Sequence, residues 1–158
     1  MKTLDLNGTW QFRAVNRYGA LPSDKSNLLK WMRATVPGTI HTDLMASKQI
    51  PDPFFRMNEN DVQWIDSQQW QYRREFTIPK NFFDEKKIEL SAEGLDTYAT
   101  IIINGKVIGK TSNMFIGHTF DVKKYLNVGK NILEVLFDSP VRRSTDLEKK
   151  HRIFSLED

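Results

Sequence analysis

The sequence predicts an all-β domain, a two-sheet β-sandwich of the jelly-roll kind with one short helix and long loops. Three observations predict it. Short stretches alternate apolar and polar side chains with the period of a half-buried strand. Turn signals separate them, the strongest being Asn104-Gly105, because both central residues of a type I′ turn tolerate positive φ. The chain has no cysteine, while Phe, Trp and Tyr make up 11% of it, so a packed core rather than a disulfide framework must hold it together.

The elements follow in order. Trp10, Phe12 and Ala14 alternate with Gln11 and Arg13 after Asn7-Gly8, which predicts the first strand. Residues 16–30 lack clean periodicity and read as a long loop. Residues 39–48 follow Pro37-Gly38 and place Ile40, Leu44 and Met45 on one side, which predicts a helix. Residues 49–66 read as a second long loop, and long loops in small domains are often functional. Over 69–78, Trp70, Tyr72, Arg74, Phe76 and Ile78 share one face while Arg73 and Glu75 take the other, and Pro79 ends the strand. Residues 87–92 carry Ile88 and Leu90 on one face. The run Ala99-Thr100-Ile101-Ile102-Ile103, inside a strand over 96–103, is apolar enough to be buried on both faces. Lys106-Val107-Ile108 follows the hairpin turn. Residues 119–122 and 131–137 supply the last strands, with Leu133, Val135 and Phe137 sharing a face after a Gly129-Lys130 turn.

A length of 158 residues suits one domain with a sizeable core. The expected division is a domain over 1–140 and a basic connecting segment over 141–158. The formal charge of +3 is modest and spread out. Its one cluster, Arg142, Arg143 and 149–152, is interrupted by Asp146 and Glu148, unlike the dense stripe of a nucleic-acid reader. Met1-Lys2-Thr3-Leu4-Asp5-Leu6 lacks the apolar stretch of a signal peptide, and no run is long enough for a bilayer span. With no cysteine to protect, the expected location is the cytoplasm.

Several blocks carry a resemblance. They are Leu6-Asn7-Gly8-Thr9-Trp10, Val36-Pro37-Gly38-Thr39-Ile40-His41-Thr42-Asp43-Leu44 and Ile50-Pro51-Asp52-Pro53-Phe54. Trp64-Ile65-Asp66, Trp70-Gln71-Tyr72-Arg73, Leu95-Asp96-Thr97-Tyr98-Ala99, Ile103-Asn104-Gly105 and Asn113-Met114-Phe115 follow in the same order. Together they resemble the N-terminal domain of β-mannosidases of glycoside hydrolase family 2, nearly the whole way to Ser139-Pro140. The Leu-Asn-Gly-x-Trp and Ile-Asn-Gly elements are shared with β-galactosidases and β-glucuronidases. The 37–44 block with Ile-Pro-Asp-Pro-Phe is more like the mannosidase branch.

The resemblance implies a galactose-binding-domain-like sandwich in a parent that removes terminal β-D-mannose from non-reducing ends with retention. That chemistry uses two carboxyl groups about 5 Å apart, which the resemblance places as glutamates on a downstream (β/α)8 barrel. No catalytic residue and no cofactor are therefore expected in this chain. The implied partners are the downstream sandwich and barrel domains of the same parent and a β-mannoside oligosaccharide. No nucleic acid and no membrane are expected. The resemblance also implies closing strands of the domain beyond Asp158.

Trp10, Trp64 and Trp70 could each stack on a pyranose ring, because the C–H face of a sugar packs on an aromatic face. Trp10 and Trp70 lie on strands among apolar neighbours, so core packing is their expected role. Trp64 lies in the long loop with Asn58 and Gln63. Since the resemblance implies that loops of this domain reach over the barrel mouth, Asn58 and Trp64 are the candidate substrate-binding residues. Glu59, Asp61 and Asp66 read as solvated loop charges. His41 and Asp43 diverge by about 200° on a helix, so they cannot grip one ion together. His118 and His151 have no recognisable company. No Asp-x-Asp calcium loop occurs, and no metal site is expected. Arg73 is open to two readings, a partner for a carboxylate across the barrel interface or a solvated surface arginine. Two other roles compete with the accessory domain: an autonomous carbohydrate-binding module and a purely structural interface domain.

Overall fold

The alternation that begins at Trp10 becomes strand β1, Gly8–Val15, with Trp10, Phe12 and Ala14 buried. The computed structural model describes residues 2–51, 58–95, 98–112 and 116–142, with backbone only at 58–61. The expected strands follow as β3 (Gln69–Ile78), β4 (Glu89–Ala92), β5 (Ala99–Ile103), β6 (Lys106–Thr111), β7 (His118–Asp121) and β8 (Gly129–Phe137). One strand was not expected, β2 (Met32–Val36), which pairs antiparallel with β1.

Among the described residues six strands form one antiparallel sheet in the order β2-β1-β3-β8-β5-β6, and β4 pairs with β7 in a second sheet. A single row of opposed residues, Met32, Phe12, Tyr72, Val135, Ile101 and Gly109, crosses all six strands. Its apolar members build the core: Phe12 is fully enclosed, and Phe12 and Tyr72 stack with ring centroids 5.9 Å apart. The row ends in Gly109 for a steric reason. A Cβ there would stand 2.4 Å from the Phe120 ring, which β7 brings over from the second sheet. The all-β sandwich is thus the fold.

The hairpin between β5 and β6 turns on Asn104 (φ 49°) and Gly105 (φ 81°), the two left-handed residues that a type I′ turn needs. The expectation that 99–103 is buried on both faces is corrected by the structure. Ala99, Ile101 and Ile103 are buried, whereas Thr100 and Ile102 are half-buried on the outer face. This sheet is covered from one side by β4 and β7, so only alternate residues are enclosed.

The helix, α1, spans Ile40–Ala46. Thr39 caps it by accepting the Thr42 amide on its hydroxyl at 3.2 Å, and Thr42 Oγ1 accepts the Thr39 amide at 3.1 Å. Leu44 anchors it in the core. Asp43 turns inward as well, with only 3% of its surface exposed. One carboxylate oxygen accepts the Thr35 amide at 2.9 Å and the other accepts the Tyr72 hydroxyl at 2.6 Å. The motif residue Asp43 therefore ties α1 to β2 and β3, while His41 is half-buried on the same helix.

The two long loops are not irregular throughout. Each contains a 3₁₀ segment, Ser23–Leu29 and Asn58–Ser67, which seat Leu28, Val62 and Ile65 in the core. Among the described residues no helix is long and apolar enough to cross a membrane.

Candidate functional site

At one end of the large sheet, β1 and β8 finish where β3 and β5 begin, as the opposed set Ala14, Trp70, Phe137 and Ala99 marks. The 3₁₀ segment Asn58–Ser67 lies against this end. It is held there by its buried Val62 and Ile65 and by the Trp70 indole, which donates to the Ile65 carbonyl at 3.1 Å. Trp64 leans on Trp70, centroids 6.1 Å apart and planes tilted by 49°, and is half-buried. One of its faces is thus committed to the core edge.

Asp138 organises the polar side of the same end. Its Oδ1 accepts the Tyr18 hydroxyl at 2.7 Å, the Gln69 side-chain amide at 3.0 Å and the Ser139 amide at 2.9 Å. With three donors on one oxygen, this carboxylate serves as a structural acceptor. Two guanidinium groups lie near the Tyr18 ring, Arg17 at 5.7 Å and Arg142 at 5.6 Å from its centroid. Gln68 is 2% exposed, yet among the described residues neither its side-chain oxygen nor its nitrogen has a hydrogen-bond partner. An unpaired buried amide is costly in free energy, so this end of the sandwich carries polar capacity that its own packing does not use.

The residues singled out in the sequence divide as follows. Trp10 and Trp70 are core residues, 7% and 5% exposed, and their indole N–H groups donate to the Leu6 and Ile65 carbonyls. Trp64 lies at the rim. The Asn58, Glu59 and Asp61 side chains and His151 lie outside the described residues. The Asp66 side chain is exposed, as a solvated loop charge should be, while its carbonyl accepts the buried Ser139 hydroxyl at 2.6 Å. His118 lies parallel to Phe120, centroids 6.3 Å apart.

Arg73 does point away from the core. Its guanidinium lies 5.7 Å from the Trp31 ring and bonds Glu75 at 3.2 Å, so a neighbour on its own strand already holds it. Arg13 lies over the same ring at 4.4 Å. Sequence reasoning missed Trp31, Tyr18, Asp138 and Ser139. They carry no shared motif, and Tyr18 and Asp138 meet only because β1 and β8 end at the same edge.

This geometry is an aromatic rim with a dense hydrogen-bond frame behind it, suited to packing and ligand contact. Comparison with known proteins gives it a family. A family model described as "Glycosyl hydrolase 2 galactose-binding domain-like" matches residues 10–157. A β-mannosidase from Bos taurus is 33% identical over 152 residues, which is 96% of this chain and 16% of that protein. The crystal structure of a β-D-mannosidase from Dictyoglomus thermophilum superposes with a TM-score of 0.82 at 42% identity, covering 98% of this chain and 17% of that one. A β-D-glucuronidase structure from the same source shares the fold at a TM-score of 0.58 and 24% identity, covering 85% of this chain and 19% of that one. The chain therefore spans about a sixth of the length of the β-mannosidases it matches. It belongs to the glycosyl hydrolase 2 galactose-binding domain-like family.

Proposed function

We propose that this chain is the N-terminal accessory domain of a β-mannosidase. Its parent hydrolyses terminal, non-reducing β-D-mannose residues with retention, using glutamates on a (β/α)8 barrel outside this chain. The observation that carries the reading is the similarity to β-mannosidases along almost the entire chain, stronger in both sequence and superposition than the likeness to the β-glucuronidase. In this reading 1–140 is the sandwich and 141–158 leads onward to a second sandwich and the barrel, with the cytoplasm as the compartment.

Within that role, the segment Asn58–Ser67 lines the sugar subsite. Trp64 offers its outer face to a mannose ring, and Asn58 supplies a hydrogen bond to a sugar hydroxyl. Support comes from the rim position of Trp64 and from the bonds that fix its turn. A second reading, a purely structural interface domain, is favoured by one observation: Trp64 already spends part of its surface on Trp70.

Kinetics of the full-length protein separate the two. In the subsite reading, Trp64→Ala raises the KM for 4-nitrophenyl β-D-mannopyranoside about tenfold, the loss of roughly 1.4 kcal/mol of stacking. An unchanged KM and kcat selects the structural domain. Calorimetry of the isolated chain with mannose and mannobiose tests the autonomous binding module, for which the accessory-domain reading predicts no measurable heat.

A further inference from the structure

Two consecutive carbonyls close the turn that carries Trp64. The last turn of any helix leaves carbonyls short of partners, and here side chains outside the turn add donors. Ile65 O accepts the Gln68 backbone amide at 3.2 Å and the Trp70 indole at 3.1 Å. Asp66 O accepts the Ser139 hydroxyl at 2.6 Å, across 73 positions of sequence. Ser139 is fully enclosed, and its Oγ also accepts the Arg142 amide at 3.1 Å.

We propose that Ser139 is a positioning residue for the Trp64 turn. One buried hydroxyl, used once as donor and once as acceptor, joins that turn to the segment leaving β8. The orientation of Trp64 and the direction in which the chain leaves the sandwich are thereby set together. The sugar-binding consequence rests on the reading of Trp64 as a subsite residue. The coupling itself does not.

The inference follows from what a hydroxyl can do. Removing Oγ takes the donor from Asp66 O and the acceptor from the Arg142 amide together. Trp70 would still hold Ile65. The turn would therefore loosen on one side of Trp64 while the sheet beneath stays paired.

Hydrogen exchange by mass spectrometry on the full-length protein tests the coupling. Ser139→Ala should speed exchange about tenfold or more in peptides covering 62–68 and 140–142, leaving β1, β3 and β8 at their original rates. Uniform acceleration across the domain would overturn the proposal. If the variant fails to fold, the unmodified protein decides, because both peptides should open with one common dependence on urea. Two different dependences would overturn it.

Kinetics test the consequence. Ser139→Ala should raise the KM for 4-nitrophenyl β-D-mannopyranoside about fivefold with kcat within about twofold. The control is Tyr72→Phe, which loses the bond to Asp43 on another side of the core and should leave KM unchanged. Equal KM changes in both variants would reduce Ser139 to a stability residue. Should the unmodified protein not turn over mannosides at all, the proposed function fails, while the exchange data still judge the coupling.

Discussion

Asn104 donates its side-chain amide to Asn131 Oδ1 at 2.8 Å, joining the turn after β5 to the first residues of β8. Asn131 is used to capacity and Asn104 makes three of its four side-chain bonds. Asn104 Oδ1 accepts the Ile132 amide at 2.9 Å, and its Nδ2 also reaches the Tyr125 carbonyl at 2.9 Å. Asn131, 1% exposed, accepts the Asn127 amide at 2.8 Å and donates to the Asn127 and Gly129 carbonyls at 2.8 and 3.0 Å. The Ile-Asn-Gly element is thus a stitch between three segments as well as a turn.

Asn131→Ala should lower stability by about 3 kcal/mol, because it leaves several buried partners unsatisfied at once. Urea unfolding measures this. A loss under about 1 kcal/mol would mean that water enters and replaces the amide.

The burial of Asp43 beside Tyr72 makes stability depend on pH. Burial raises the Asp43 pKa above its ordinary value, although the bonds from Tyr72 and the Thr35 amide pull it back in part. The Tyr72 hydroxyl is pushed up by burial and by the Asp43 carboxylate, so it stays protonated as the donor. A carboxyl group whose folded pKa is raised binds its proton more tightly folded than unfolded. Its stabilisation is complete below the unfolded value, about 3.9, and is lost as pH rises through the folded value. The stability difference between the unmodified protein and Asp43→Asn should therefore shrink as pH rises from about 4. Urea midpoints measured from pH 4 to 7 check the sign, and a difference that widens over this range would contradict it.

Gly109 leaves room for Phe120 between the two sheets. Gly109→Ala should destabilise by about 1–3 kcal/mol, since the new Cβ would overlap the ring and the ring must move. Adding Phe120→Leu should recover part of that loss, so the double variant is less damaged than the sum of the singles. Additive losses would show that the sheets part without the ring moving.

Particular residues show which features the sequence carries. Strands β1, β3 and β8 are legible because their large side chains, Trp10, Phe12, Trp70, Tyr72, Leu133 and Val135, alternate with polar ones. Strand β2 is not. It is short, lies at the sheet edge, and relies on Met32, Arg33 and Ala34, which have little preference for strands. The helix is legible from Thr39 and its apolar side. Its inward Asp43 is hidden, because the partner that accounts for its burial, Tyr72, lies 29 positions away. The site follows the same rule. Trp64 is visible as an aromatic residue in a loop, whereas the frame of Tyr18, Asp138 and Ser139 exists only once the strand ends converge.

Substrate preference of the full-length protein tests most directly whether this domain serves a β-mannosidase. The measurement is kcat/KM for 4-nitrophenyl β-D-mannopyranoside beside the matching β-D-glucuronide and β-D-galactoside. The proposed function predicts that the mannoside is preferred by about a hundredfold or more, a difference within reach of hydrogen bonds to single sugar hydroxyls. Equal or faster turnover of the glucuronide or the galactoside would contradict it.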